Sequence, residues 1–162
     1  MKIRFVVAVL CLIAASPAEA IPLTPGGAAA VARVIGPCTE DCVVRSNSGG
    51  SIVNFQQAAT VIRRARKKLI IDGYCASACM VMADRARPRT CITDRAVFAY
   101  HKTNWNRPIP LRSDLHRWIM QQGGYPEFHG TPGIVPNQVA QRFFPLCKPT
   151  QPAIFAAVDS KI

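Results

Sequence analysis

The chain has 162 residues, of which 49% are hydrophobic and 18% charged, and its formal net charge is +11 at pH 7. This length suits one domain with a real core, and no segment beyond the first twenty residues has the roughly 18 apolar residues of a transmembrane helix. The excess of Lys and Arg favours anionic partners, but it does not define a reaction.

The first twenty residues have the pattern of a signal peptide. Lys2 and Arg4 give a positive start, residues 5–15 form an apolar run too short to span a bilayer, and Ala18-Glu19-Ala20 fits a cleavage site. We therefore expect an exported chain, periplasmic or secreted, that begins near Ile21 and keeps a charge of about +10.

Six of the seven cysteines lie beyond this leader: Cys38, Cys42, Cys75, Cys79, Cys91 and Cys147. An even number in an exported chain predicts disulfides, with the connectivity open. A local bridge between Cys38 and Cys42 is plausible, and Cys79 and Cys91 are well placed to tie a helix to the turn after it. Two C-x₃-C pairs also approach zinc-ligand spacing, but an oxidising compartment argues against it, so we expect no metal and no cofactor.

The predicted elements begin after residues 21–36, which are rich in Pro, Gly and Ala and predict a linker or a loose lead-in. The single domain then covers 37–162. A short strand over 42–44 is followed by a turn with Gly49-Gly50, and apolar spacing predicts a helix over 51–68 and a strand over 69–72. This order predicts a β-turn-α-β unit in a parallel sheet.

The far end of this helix is strongly basic, with Arg63, Arg64, Arg66, Lys67 and Lys68. Cations complement a helix C-terminus, and such a run is typically a solvated face. Binding of an anionic envelope polymer is the more specific hypothesis. A nucleic-acid groove is not favoured, because no aromatic residues interleave the charges.

Ser77 follows the second strand and opens a helix over 77–84, and a third strand over 95–100 ends at His101. A serine at such a junction can be exposed for nucleophilic attack. Two short helices are expected after it, from Ser113 and from residue 136 or 137 to Phe144. We assign no site role to His116 or His129, which are expected on a helix face and in a loop.

The glycine turn, the Cys-Ala-Ser-Ala-Cys run over 75–79 and the strand-end histidine occur in order, with Ser77 27 residues after Gly50 and 24 before His101. Over residues 42–102 this pattern resembles exported Clp-protease-like proteins of the Clp-protease/crotonase superfamily. The resemblance implies an α/β fold of repeated β-turn-α units with a mainly parallel sheet, here with a short C-terminal helical part. It also implies Ser77 as nucleophile, His101 as general base, and the N–H groups of Gly50 and Ala78 as oxyanion hole.

We therefore predict a serine hydrolase that acts on a peptide or another acyl substrate. Peptidases of the family complete a triad with a downstream aspartate, whereas the downstream acids here, Asp114, Glu127 and Asp159, match no motif. The alternative is an inactive envelope module of the same fold that binds a ligand or serves a structural role, including binding of anionic polymers through the basic face.

Overall fold

The computed structural model describes residues 23–148, and shows a mixed α/β fold with a mainly parallel sheet and five helices. The helices are α1 (Pro25–Ile35), α2 (Ile52–Arg64), α3 (Ala78–Arg85), α4 (Ser113–Gln121) and α5 (Asn137–Ala140). The strands are β1 (Cys42–Asn47), β2 (Leu69–Ala76), β3 (Thr90–Ile92), β4 (Val97–Tyr100) and β5 (Gly133–Val135). The predicted leader and Asp159 lie outside the described residues.

The predicted β-turn-α-β unit is confirmed as β1, α2 and β2, with β1 and β2 parallel. The helix ends at Arg64 rather than at residue 68, and Arg66 beyond it has a positive φ of 54°. β2 extends four residues further than predicted, through Gly73, where β1 lies so close that a Cβ would collide with the Arg45 backbone. The glycine that suggested a strand end therefore marks a close strand pair.

β2 pairs with two successive partners on the same side. Its first half, from Leu69 to Ile71, pairs with β3, and its second half, from Tyr74 to Ala76, pairs with β4. Both pairings are parallel, and β5 then adds antiparallel to β4. This topology places the carboxyl ends of β1, β2 and β4 side by side, at the edge where parallel sheets hold their sites.

The predicted linker over 21–36 is wrong for residues 25–35, which form α1. The Thr24 side chain accepts a hydrogen bond from the Gly27 N–H at 3.3 Å, and Ala30 and Val31 are buried. Asn47 also donates to the Val34 carbonyl oxygen at 2.6 Å, which ties α1 to the end of β1. An alanine-rich segment with Pro at its first helical position has good helix propensity, and this outweighs the two glycines.

All six described cysteines form disulfides: Cys38–Cys42, Cys75–Cys79 and Cys91–Cys147. The bridge expected between Cys79 and Cys91 is wrong, because Cys79 lies against Cys75 with their Cα atoms 5.3 Å apart. Cys91 instead holds the segment after α5, where the Cys147 N–H also donates to the Ile92 carbonyl oxygen at 2.9 Å. No thiolate in residues 23–148 is left for zinc, and the disulfides are consistent with an extracellular or periplasmic protein.

Residues 23–148 contain no helix with the length and apolar character needed to cross a membrane.

Candidate active site

Ser77 joins β2 to α3 in a constrained backbone conformation, with φ 52° and ψ −118°. A positive φ is uncommon for a residue with a Cβ, and such a conformation costs about 1–3 kcal/mol. Two contacts hold it: the Ser77 N–H donates to the Ala99 carbonyl oxygen at 2.9 Å, and the Cys75–Cys79 disulfide links the two sides. We call residues 75–79 the serine elbow.

The glycine turn after β1 packs directly on the serine elbow. Gly49 has a φ of 95°, and a Cβ there would lie 2.8 Å from the Ala76 carbonyl oxygen and 2.9 Å from the Ser77 Cβ. The Gly49 N–H donates to the Asn47 side chain at 2.9 Å, which fixes the turn. Only glycine satisfies both the backbone angle and the close approach.

The two predicted oxyanion-hole donors lie next to this contact. Ala78 is the first residue of α3, where a backbone N–H has no acceptor within the helix. Within residues 23–148 neither the Ala78 N–H nor the Gly50 N–H donates a hydrogen bond. Gly50 lines the cleft described below, whereas Ala78 is fully buried and is not among the residues that line it.

His101 follows β4 and lies beside the serine elbow, because Ala76 and Ala99 pair across β2 and β4. Its Nδ1 lies 2.5 Å from the Lys102 carbonyl oxygen. A carbonyl oxygen can only accept, so this contact favours the tautomer in which Nδ1 carries the hydrogen and Nε2 is the acceptor. The ring packs edge-on against Phe128, with the ring centroids 5.1 Å apart.

The described downstream acids have other partners. Glu127 pairs with the Lys102 ammonium at 2.6 Å, and Asp114 pairs with Arg87 at 2.8 Å. The Lys102 N–H also donates to the Pro126 carbonyl oxygen at 2.7 Å. The loop at 126–127 therefore positions Lys102, whose carbonyl occupies the place of an orienting group behind His101.

Ser77 and His101 line one cleft of about 860 Å³ together with the glycine turn and the start of α2. No hydrogen bond joins the two side chains in the part of the chain that the structure describes. Three apolar side chains at the cleft are unusually exposed, namely Val53 at 72%, Trp105 at 79% and Phe128 at 43%. This rim can contact an apolar group on a ligand.

Sequence patterns assign no site role to several residues that line the cleft, such as Val53 on α2 and, from the loop after α4, Phe128 and His129. Their ring centroids are 4.8 Å apart, and His129 had been left without a role. The only local signal is Pro126 in an irregular segment, which does not predict where the loop folds back.

The basic run after α2 does not form one uniform face. Lys67 is buried and donates to the Thr39 carbonyl oxygen at 2.5 Å, and Lys68 lies 3.8 Å from Asp41. These two residues fasten the turn that the Cys38–Cys42 bridge closes. Arg63 and Arg64 remain exposed on α2.

No family model, curated protein or solved structure matches this chain. A function for this chain must therefore be argued from its own residues and their geometry.

Proposed function

We propose that this chain is an exported, periplasmic or secreted serine hydrolase of the Clp-protease/crotonase type, acting on a peptide or another acyl substrate. The observation that carries the proposal is the constrained backbone of Ser77 at a strand-to-helix turn, in a cleft shared with His101. Strained serines at such turns are typical of nucleophiles, since the turn exposes the hydroxyl.

In the proposed reaction, His101 Nε2 takes the Ser77 hydroxyl proton while Oγ attacks the acyl carbon. The N–H groups of Gly50 and Ala78 stabilise the resulting oxyanion, and each such donor is typically worth about 2.7–4 kcal/mol. The tetrahedral intermediate collapses, and His101 returns the proton to the departing amine or alcohol. Water then hydrolyses the acyl-serine with His101 again as base.

The Lys102 carbonyl is a neutral orienting group, so it holds the ring but stabilises an imidazolium less than a carboxylate does. Losing the carboxylate of a triad can cost about 10⁴-fold in rate. We therefore expect a slow hydrolase.

The rim favours substrates that carry an apolar group next to the acyl carbon. Val53, Trp105 and Phe128 supply exposed apolar surface, and 860 Å³ lies within the usual size of ligand sites.

Labelling with a fluorophosphonate probe tests the proposal, because the probe reacts only with an activated serine. We expect labelling of the wild type that maps to Ser77, and loss of labelling in Ser77→Ala and His101→Ala. Ser48→Ala is the matched control, since Ser48 lines the same cleft and should leave labelling unchanged. Equal labelling of Ser77→Ala and wild type, or no labelling of folded wild type, would refute the hydrolase.

The second candidate is a module that binds an acyl or aromatic ligand in the cleft without hydrolysing it. It is favoured by the lack of a hydrogen bond between Ser77 and His101 and of a carboxylate behind His101 in the described residues. A folded wild type that is not labelled, but whose Trp105 fluorescence changes saturably with N-acetyl-phenylalanine amide, would support it. Trp105→Phe should abolish that signal.

A further inference from the structure

A second cleft, of about 430 Å³, runs along α2 from Gln56 to Arg63 beside the end of α3, and it shares no residue with the candidate active site. Three arginines line it, namely Arg63, Arg85 and Arg112. They come from the last turn of α2, the end of α3 and the residue before α4. We call this the arginine pocket.

The arginine pocket has one neighbouring carboxylate, that of the buried Asp84, which accepts a hydrogen bond from the Arg112 backbone N–H at 2.6 Å. No acidic side chain lines the pocket itself, and no ion pair in the described part of the chain involves these three arginines. Neutral acceptors hold two of them instead. Arg112 Nη2 donates to the Arg87 carbonyl oxygen at 2.9 Å, and the Gln56 amide oxygen, in the orientation that satisfies its neighbours, accepts from Arg85 at 3.2 Å.

Helix stabilisation explains only part of this arrangement. Cations in the last turn complement the partial negative charge of a helix C-terminus, which accounts for Arg63 and Arg85. Arg112, however, occupies the N-cap position of α4, where the helix dipole opposes a cation and where no side-chain capping bond forms. Three arginines from three different elements line one cleft without an ion pair among the described residues, and an anionic ligand explains this better than helix stabilisation alone.

We propose that the arginine pocket binds a phosphate group. Planar guanidinium groups bind phosphate in a bidentate manner, and a tetrahedral dianion presents oxygens to three of them at once, whereas a carboxylate presents only two oxygens. Gln57 also lines the cleft, and its side-chain amide can supply a neutral donor. Its volume lies within the range of small-ligand sites, so the phosphate can carry a further group.

Calorimetric titration of the folded chain with inorganic phosphate at constant ionic strength tests this site. We expect saturable binding that weakens by about tenfold or more in Arg85→Gln, because one charge-assisted pair with the phosphate is lost. Arg85→Lys keeps the charge but loses the bidentate guanidinium group, so its phosphate affinity should lie between those of the wild type and Arg85→Gln. Arg142→Gln is the matched control, since Arg142 is exposed and lies outside the pocket.

Equal affinity in Arg85→Gln and Arg142→Gln, or no saturable binding by the wild type, would overturn the proposal. The source of the phosphate is distinguished by two further probes. Capture on phosphatidylglycerol vesicles that is lost in Arg85→Gln would assign the site to a lipid head group. Binding of glycerol phosphate without vesicle capture would assign it to a soluble phosphoester. Fluorophosphonate labelling should be unchanged in Arg85→Gln, so the two proposals fail independently.

Discussion

At the scale of single residues, Gly49 and Ser77 depend on each other. Ser77 has a backbone conformation that L residues rarely adopt. Gly49 packs so closely against it that a Cβ on Gly49 would lie 2.9 Å from the Ser77 Cβ. The turn and the serine elbow thus form one unit, and a change on either side should disturb the other.

Gly49→Ala should destabilise the fold by about 2–4 kcal/mol, because it adds both a backbone clash and a side chain at φ 95°. Urea unfolding measures this loss, and fluorophosphonate labelling of the surviving folded fraction should fall as well. Gly26→Ala is the control: nothing lies within 4 Å of the added Cβ, and alanine should stabilise α1 by about 0.5–1 kcal/mol. Equal stability of the two variants would contradict the packed turn.

Residue patterns predict that Ser77, Gly50 and His101 lie together, because each follows a strand and parallel strand ends meet at one edge, and all three line one cleft in the structure. The same reasoning could not find the Lys102 carbonyl behind His101, since a backbone acceptor has no residue-type signature. A carboxylate is the orienting group that residue types can indicate, and the described downstream acids pair with Arg87 and Lys102 instead.

At the scale of elements, two disulfides close loops of equal length with different surroundings. Cys38–Cys42 and Cys75–Cys79 each join residues four apart, so loop closure should contribute about 2 kcal/mol for both. Only the second spans the serine elbow, and its cysteines are fully buried.

Replacing both cysteines of a bridge by alanine should therefore separate stability from reactivity. We expect each double variant to lose about 2 kcal/mol in urea unfolding. Only Cys75→Ala/Cys79→Ala should also lose fluorophosphonate labelling, because the Ser77 backbone can then relax. If both double variants label as the wild type does, the bridge does not position the serine.

The predicted elements agree with the structure where the local residue pattern is clear, as in α2, α3 and β4. They differ from it where contacts between residues far apart in sequence determine the local structure. β5 has only three residues and exists because β4 offers an open edge. The glycines at the start of α1 favour a linker, and the short buried face formed by Ala30 and Val31 is too weak a pattern to predict a helix. The predicted second strand stops before Gly73, because a local sequence pattern does not indicate that β1 lies close enough to require a glycine there.

At the scale of the whole molecule, Arg87 joins α3, α4 and the segment after α5. It makes two hydrogen bonds to Asp114, at 2.8 and 2.9 Å, and one to the Phe143 carbonyl oxygen at 3.3 Å, and it pairs with the buried Asp84. Asp84 in turn accepts from the Arg112 N–H at 2.6 Å, which links this network to the arginine pocket. Burial raises the pKa of Asp84, whereas the hydrogen bonds from Arg87 lower the pKa of Asp114 to about 2.

This network predicts how stability depends on pH. Because its folded-state pKa is depressed, the Asp114 carboxylate stabilises the fold above its unfolded pKa, near 4, and this contribution is lost as the pH falls through about 2. The side chain is 51% exposed, so solvent screening reduces the contribution to about 1 kcal/mol. Asp114→Asn should therefore lower the Tm by about 3 °C at pH 7 and by almost nothing near pH 2, measured by circular dichroism.

Glu40→Gln, at an exposed acid in the turn before β1, should leave the Tm unchanged at both pH values. A Tm difference for Asp114→Asn that stays constant from pH 7 to pH 2 would show that Arg87 holds these helices by packing alone.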